Sequence, residues 1–371
     1  MMFKKRLTIF LLTAVFSFLF LGRTAFAEPY DYGGDELYSA LPDEARAYLD
    51  EKGITPDNNG AADLSIVEIL SDLWDMFVEN AEQPLKMFAS IAAVILLTAV
   101  MSGLKGSFDQ PKTDYAFTLV SSLAGTMIVA GFLSAALSGI DAALSAASDF
   151  LLAYVPVLAG VVAVGGQAAT ASVFTSVMMV VIELLTQAAS KLLIPLSGMM
   201  LGVSAAGGLN PELKLDRIAA GLQKGIIWVL GLIMTVFIGV LTLQSSIASA
   251  TDTFALRTAR FAVSTGIPFV GGAVSEALAT VKGSLSLVRS GIGSFGIVAV
   301  SCLLLPTMLH TLCYRLFLFL AEILSDLFSA EALGKIVRCG ESVMSILIAI
   351  ISCLFLFASV STALLITVTR Q

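Results

Sequence analysis

From Leu85 to the C-terminus the chain is a succession of apolar stretches of roughly bilayer length. They run over about 85–104, 116–140, 150–165, 168–190, 192–207, 225–247, 292–312, 313–330 and 343–368. A helix needs about 20 apolar residues to cross a hydrocarbon core about 30 Å thick. The stretches 150–165 and 192–207 are short by that measure, and 262–281 is ambiguous. Overall, 57% of residues are hydrophobic and 13% are charged, with a mean hydropathy of +0.92. Soluble domains carry nearer a quarter charged residues. The expectation is an all-α, polytopic helical membrane protein with seven to ten spans, several of them short or broken.

The charges divide the chain into three parts. Residues 1–27 hold four basic side chains and no acidic one. MMFKKR followed by LTIFLLTAVFSFLFLG and Ala25-Phe26-Ala27 reads as a secretory signal peptide cut after Ala27, or as an uncleaved anchor. Both readings place Glu28 outside the cytoplasm. Residues 28–84 hold 15 acidic and two basic side chains and form an acidic extracytoplasmic segment. Residues 85–371 hold 15 basic and 13 acidic side chains and form the membrane domain. Positive-inside bias puts the loops bearing Lys105 and Lys112, and Lys214, Arg217 and Lys224, in the cytoplasm.

Within the acidic segment, residues 28–62 read as loosely structured, apart from a short helix from Pro42 to Lys52 ended by Gly53. DLSIVEILSDLWDMFVEN predicts an amphipathic helix over 63–80. Ile66, Ile69, Leu70, Leu73, Trp74 and Phe77 share one face, and Glu68, Asp72, Asp75 and Glu79 the other. Ser65 and Glu68 have capping-box spacing. Membrane-surface helices are usually basic on their polar face. This acidic helix is therefore read as a protein-docking helix, packing on its own membrane domain, another copy or a partner.

Helix breakers interrupt the apolar stretches. YVPVLAGVVAVGGQ holds Pro156, Gly165 and Gly166, and Pro195, Pro268 and Pro306 follow in comparable settings. Two readings stand: kinked helices packed closely in a bundle, or broken helices lining a pathway. VPVLAGVV, LLIPLSG and LDRIAAG recur in the same order as IPFVGGAV, LLLPTML and LGKIVRC, 111 to 118 residues on. They raise the question of a parallel internal duplication over about 116–247 and 230–368. Of the acids in or near apolar segments, Glu183, Glu276, Glu322 and Asp326, the first two are candidates for a pathway or polar-contact role. Arg257 and Arg260, with Asp252, lie in SSIASATDTFALRTARF, which reads as an interfacial helix with a headgroup-facing basic side.

Enzymatic signatures are lacking. A single histidine, His310, leaves no HExxH and no His-based triad, and there is no GxxxxGK[ST] or CxxC. Cys302, Cys313, Cys339 and Cys353 all lie in the membrane part and read as buried thiols. No cofactor or metal is expected, and the chain is read as a non-enzyme.

Three stretches carry a family resemblance: YVPVLAGVVAVGGQAATAS (154–172), SSIASATDTFALRTARF with STGIPFVGG (245–272), and VRSGIGSFGIVAV (288–300). With the signal peptide and acidic N-terminus, they resemble the stage III sporulation protein AE family of endospore-forming bacteria. The resemblance covers most of residues 85–371. It implies a mother-cell protein of the outer forespore membrane, within the channel or feeding-tube complex that joins mother cell and forespore. It also implies as partners the other stage III A proteins, including a secretion-type ATPase and a ring-forming subunit. It transfers no catalytic residue. Against it stand two other readings: an independent secondary transporter, and a purely structural assembly platform.

Overall fold

The computed structural model describes residues 34–56, 66–103, 111–209, 215–266 and 271–368, and among these every regular element is a helix. The expected signal peptide, Ser65 and Pro268 fall outside the described residues. So do the side chains of Ile66, Ile69, Leu70, Arg260 and Glu276. In chain order the helices are α1 (Gly34–Ser39), α2 (Asp43–Glu51), α3 (Ile66–Asn80), α4 (Glu82–Gly103) and α5 (Pro111–Val164). There follow α6 (Ala168–Ala188), a π turn (Ala189–Leu193), α7 (Ile194–Leu209), α8 (Leu215–Gly266), α9 (Gly271–Leu327) and α10 (Glu331–Val368).

Six continuous helical segments are long and apolar enough to cross a membrane: Glu82–Met101, Leu119–Val164, Ala168–Met200, Ala220–Ala255, Ser290–Leu327 and Glu331–Ile366. The seven to ten separate stretches of the sequence thus resolve into six among the described residues, because 116–140 runs on into 150–165, 168–190 into 192–207 and 292–312 into 313–330, and the prolines do not break their helices. Pro156 sits inside α5 on an exposed face, while Leu151, Tyr154, Val155 and Leu158 around it are buried. Packing on one side holds the helix through a proline whose ring and missing N–H face outward. Pro306 is likewise interior to α9. Pro195 follows directly on the π turn. A proline crowds the carbonyl four residues before it, and the widened turn relieves that crowding at Lys191.

The true breaks use backbone caps. Gln167 N–H donates to Val162 O (3.3 Å), Gly166 N–H donates to Ala163 O (3.0 Å), and Gly166 has φ +84°. This is a Schellman ending to α5, which needs a left-handed residue that glycine supplies without strain. The α9–α10 turn repeats it: Ala330 N–H donates to Ser325 O (2.9 Å) and Ser329 N–H to Asp326 O (3.3 Å). There Ser329 takes φ +55°.

Contacts between distant residues set the order of the bundle. Gly125 lies against Leu333, and Gly340 against Val129 and Leu318. Phe88 packs on Phe317, with ring centroids 5.8 Å apart, and Phe237 on Phe357, at 4.5 Å. Phe150 packs on Phe295, with centroids 6.5 Å apart. These pairings run α5 and α10 in one direction and α9 in the other. The α9–α10 turn at 328–330 lies near the start of α5, and the α5–α6 turn at 165–167 lies at the opposite end. α10 is the most buried helix, and α4 and α8 are the most peripheral.

The acidic segment is more ordered than its composition implies. α1 and α2 bury Leu37, Leu41, Leu49 and Ile54, all at most 1% exposed, against α5 and α9. The loosely structured reading of 28–62 is corrected for residues 34–56: four well-placed apolar side chains suffice when a large apolar wall is already present.

Candidate functional site

The three family-like stretches meet one another. α6 begins at the end of YVPVLAGVVAVGGQAATAS, and its first backbone N–H groups have no partner within their own helix. Asp252, from the middle of α8, supplies one. Its Oδ1 accepts from Ala169 N–H (3.0 Å), and its Oδ2 accepts from Thr170 N–H and Thr170 Oγ1 (2.8 Å each). A carboxylate also suits the positive end of the helix dipole. Asp252 is buried, at 7% exposure. Lower on α5, Tyr154 is fully buried beside Phe150 and bonds Thr362 of α10 (3.4 Å). Its ring occupies the space where Gly296, in VRSGIGSFGIVAV, would carry a side chain. One cross-chain cap and one glycine–tyrosine contact thus tie α5, α6, α8, α9 and α10 together.

The sequence-selected positions are more dispersed. Gly165 and Gly166 form the α5–α6 turn beside the Asp252 cap. Pro156, Pro195 and Glu183 face the exterior of the bundle, and Pro306 is partly exposed. Glu183 is bonded to Gln187, whose Oε1 accepts from Lys191 (3.1 Å), giving a polar ladder on the outer face of α6. Arg257 is exposed. Asp252 belongs to the same stretch, and five residues of helix turn it away from Arg257 and into the bundle. Glu322 and Asp326 pair with Arg338 (2.7 and 3.4 Å), and Arg315 pairs with Glu341 (3.4 Å), in a charged strip along the α9–α10 hairpin. His310 packs on Tyr314, with centroids 4.9 Å apart. Among the described residues no group of three His, Cys, Asp or Glu is placed to hold a metal ion.

The acidic helix α3 docks within its own chain. Cys313 Sγ lies 3.9 Å from Phe77 O, and Leu73, Met76 and Phe77 are half-buried. Tyr48 donates to Asp72 Oδ2 (2.9 Å), and Lys52 Nζ bridges to the same oxygen (2.7 Å). The Lys52 hydrogen bond, opposed by some burial, holds the Asp72 carboxyl below its ordinary value. Burial and then the bond to Asp72 push the Tyr48 phenol up. Because the Asp72 value is lowered on folding, its contribution is present above the ordinary carboxylate pKa and is lost as pH falls through the depressed one. Limited proteolysis of α3 should therefore be flat from pH 8 to 5 and rise only below about pH 4. An Asp72→Asn variant should show the raised rate already at pH 7.

Unlike Leu73 and Phe77, Trp74 is 66% exposed and Val78 56%, on a face they share with Asp75 and Glu79. The docking helix is thus double-sided. One side is spent on its own bundle, and the other presents an aromatic within an acidic frame.

These features define a polytopic α-helical membrane protein with a folded acidic appendage on its flank. The family model described as stage III sporulation protein AE matches residues 51–369, and the chain belongs to that family. The stage III sporulation protein AE of Bacillus subtilis (strain 168) is 23% identical over 252 residues. That match covers 66% of this chain and 61% of the relative's length. No solved structure matches. Membership supports a role in sporulation and places the chain in the stage III A group by name.

Proposed function

We propose that the chain is a non-enzymatic membrane subunit of the channel complex between mother cell and forespore, bracing the conduit in the outer forespore membrane. The observation that carries this reading is the double-sided α3. An exposed Trp74 and Val78 within an acidic frame, on a helix whose other side packs against the bundle, is the kind of surface on which interface energy concentrates. The six-helix count agrees with an extracytoplasmic N-terminus. By alternation along the sequence alone, the stretches with Lys105 and Lys112, Lys214 and Arg217, and Lys335 and Arg338 share a side, which charge bias assigns to the cytoplasm, while Arg257, Arg260, Lys282 and Arg289 fall on the other. α3 then faces the space between the two membranes. Bracing is favoured over a pore through one chain because aromatic side chains fill the bundle around Tyr154, Phe295 and Phe357. A transporter would use the segments around Pro156 and Pro268 with Glu183 or Glu276; Pro156 and Glu183 face outward, and Pro268 and the Glu276 side chain lie outside the described residues.

The test is crosslinking and capture of the tagged chain from a sporulating culture at engulfment. Recovery of the secretion-type ATPase and ring-forming subunits is expected. A Trp74→Asp variant should lower that recovery about thirtyfold, the effect of losing an interface hot spot of roughly 2 kcal/mol. Its membrane level should stay unchanged. Undiminished capture by Trp74→Asp would move the contact elsewhere, and a chain isolated alone from sporulating cells would sink the complex reading itself.

A further inference from the structure

The outward side of α3 carries a charge pattern that narrows the chemistry of whatever docks there. At 3.6 residues per turn, Val78 lies about 40° round the helix from Trp74, Asp75 about 100° and Glu79 about 140°. All four side chains are exposed. They form one surface, apolar along one edge and acidic along the next, while Leu73, Met76 and Phe77 are half-buried on the far side. The indole is ordered in advance: Trp74 stacks on Phe77, with ring centroids 6.0 Å apart.

The two acids weaken the helix that carries them. Like charges four residues apart repel on a helix surface. Glu79 also falls in the last turn of α3, at the negative end of the helix dipole, and that turn has no basic side chain. Among the described residues no salt bridge reaches Asp75 or Glu79. The basic side chains of the acidic segment, Arg46 and Lys52, are engaged by Asp43 and Asp72, and Lys86 beyond it by Glu82.

Charge decides between the occupants open to this face. An anionic lipid surface repels both carboxylates. A second copy docking by the same face would set Asp75 and Glu79 against their own images across a two-fold axis. An arginine or lysine from another protein gains on both edges. Its head reaches the carboxylates, and its stem or guanidinium plane lies over the open face of the indole.

We infer that α3 binds a basic segment of a different protein, one that sets an arginine or lysine against Trp74 and pairs with Asp75 and Glu79. The inference rests on the reading of α3 as the partner surface and adds the partner's chemistry to it.

The test places a photo-crosslinking residue at Ser71, which is exposed and one turn before Trp74 and Asp75 on the same surface. The full-length chain is irradiated in membranes from cells at engulfment, and the captured peptide is sequenced by mass spectrometry. A peptide of another protein is expected, with two or more arginines or lysines within about seven residues, two helical turns, of the crosslink. Its yield should fall at least fivefold as ionic strength rises from about 0.1 to 1 M. Asp75→Asn combined with Glu79→Gln should lower the yield about tenfold at the lower salt, and remove most of the salt dependence. That change equals about 1.4 kcal/mol, within reach of two exposed ion pairs. Both substitutions are exposed and nearly isosteric, so the membrane level should not change. A neutral or acidic peptide, or a double variant captured as well as the native chain, overturns the inference and leaves the complex reading standing. A lipid adduct, a peptide from a second copy or no adduct removes α3 as the partner surface and the inference with it. Recovery of partners by the tagged native chain then shows separately whether the complex reading survives.

Discussion

Gly296→Val is expected to lower the melting temperature of the detergent-solubilised protein by roughly 5–10 °C, corresponding to about 3 kcal/mol of overpacking. The reason is local. The new Cβ alone would overlap the Tyr154 ring, and that ring has nowhere to go. Tyr154 is fully buried, stacked on Phe150 at 5.7 Å and bonded to Thr362. Gly293, one turn earlier, is the control. A Cβ there meets the terminal methyl of Ile366, the end of a flexible side chain that can change rotamer. Gly293→Ala should therefore cost about 1 kcal/mol or less. Coupling with Tyr154 supplies a second check. In a double-mutant cycle, Gly296→Val on a Tyr154→Ala background should cost much less than on the native background. Additive effects would mean that the tyrosine is not what the glycine accommodates.

How far the sequence already contained this arrangement depends on the kind of signal. Apolar runs gave the all-helical membrane class directly, because hydrophobic length is a property of the chain alone. The residue pattern of 154–172, 245–272 and 288–300 also led to the family. The extra segments came from the splits at 140–150, 190–192 and 312–313, which the helices run straight through, and Pro156, Pro195 and Pro306 do not end their helices either. Whether a proline ends a helix depends on which face it lands on and what packs opposite, and neither is local. The same limit applies to Asp252. It lies in a stretch read as an interfacial helix, yet its partners are Ala169 and Thr170, more than 80 residues earlier. No periodicity links such positions. A clue was available in retrospect: an acid in an otherwise apolar, small-residue run needs donors, and the uncapped start of α6 after Gly165-Gly166 offers them. The split of α3 between Leu73 and Phe77 on one side and Trp74 on the other was also beyond the pattern, which assigned all three to a single face.

Asp252→Ala should be among the most damaging changes on the surface of α8. It removes a helix cap, worth about 0.5–2 kcal/mol, and leaves the Ala169 and Thr170 N–H groups and the Thr170 hydroxyl without their acceptor in a buried place. Each unsatisfied buried donor costs about 1–3 kcal/mol. Relaxation of the α6 start recovers part of this, so a net loss of about 3 kcal/mol is expected. Asp252→Asn keeps one acceptor oxygen and should lose about half as much. Arg257→Ala, five residues on and exposed, should lie within about 0.5 kcal/mol of the native chain. Hydrogen exchange reads the effect where it arises. Amides 169–172 should exchange at least tenfold faster in Asp252→Ala, with α10 protected as before. Because this cap joins two of the stretches that carry the family resemblance, spore yield should follow the same order: native and Arg257→Ala alike, Asp252→Asn reduced, Asp252→Ala lowest. If Asp252→Ala kept native exchange at 169–172, the α5–α6 turn would be held by its Schellman ending alone. The carboxylate would then have to be explained by a ligand or partner that approaches α8 from outside.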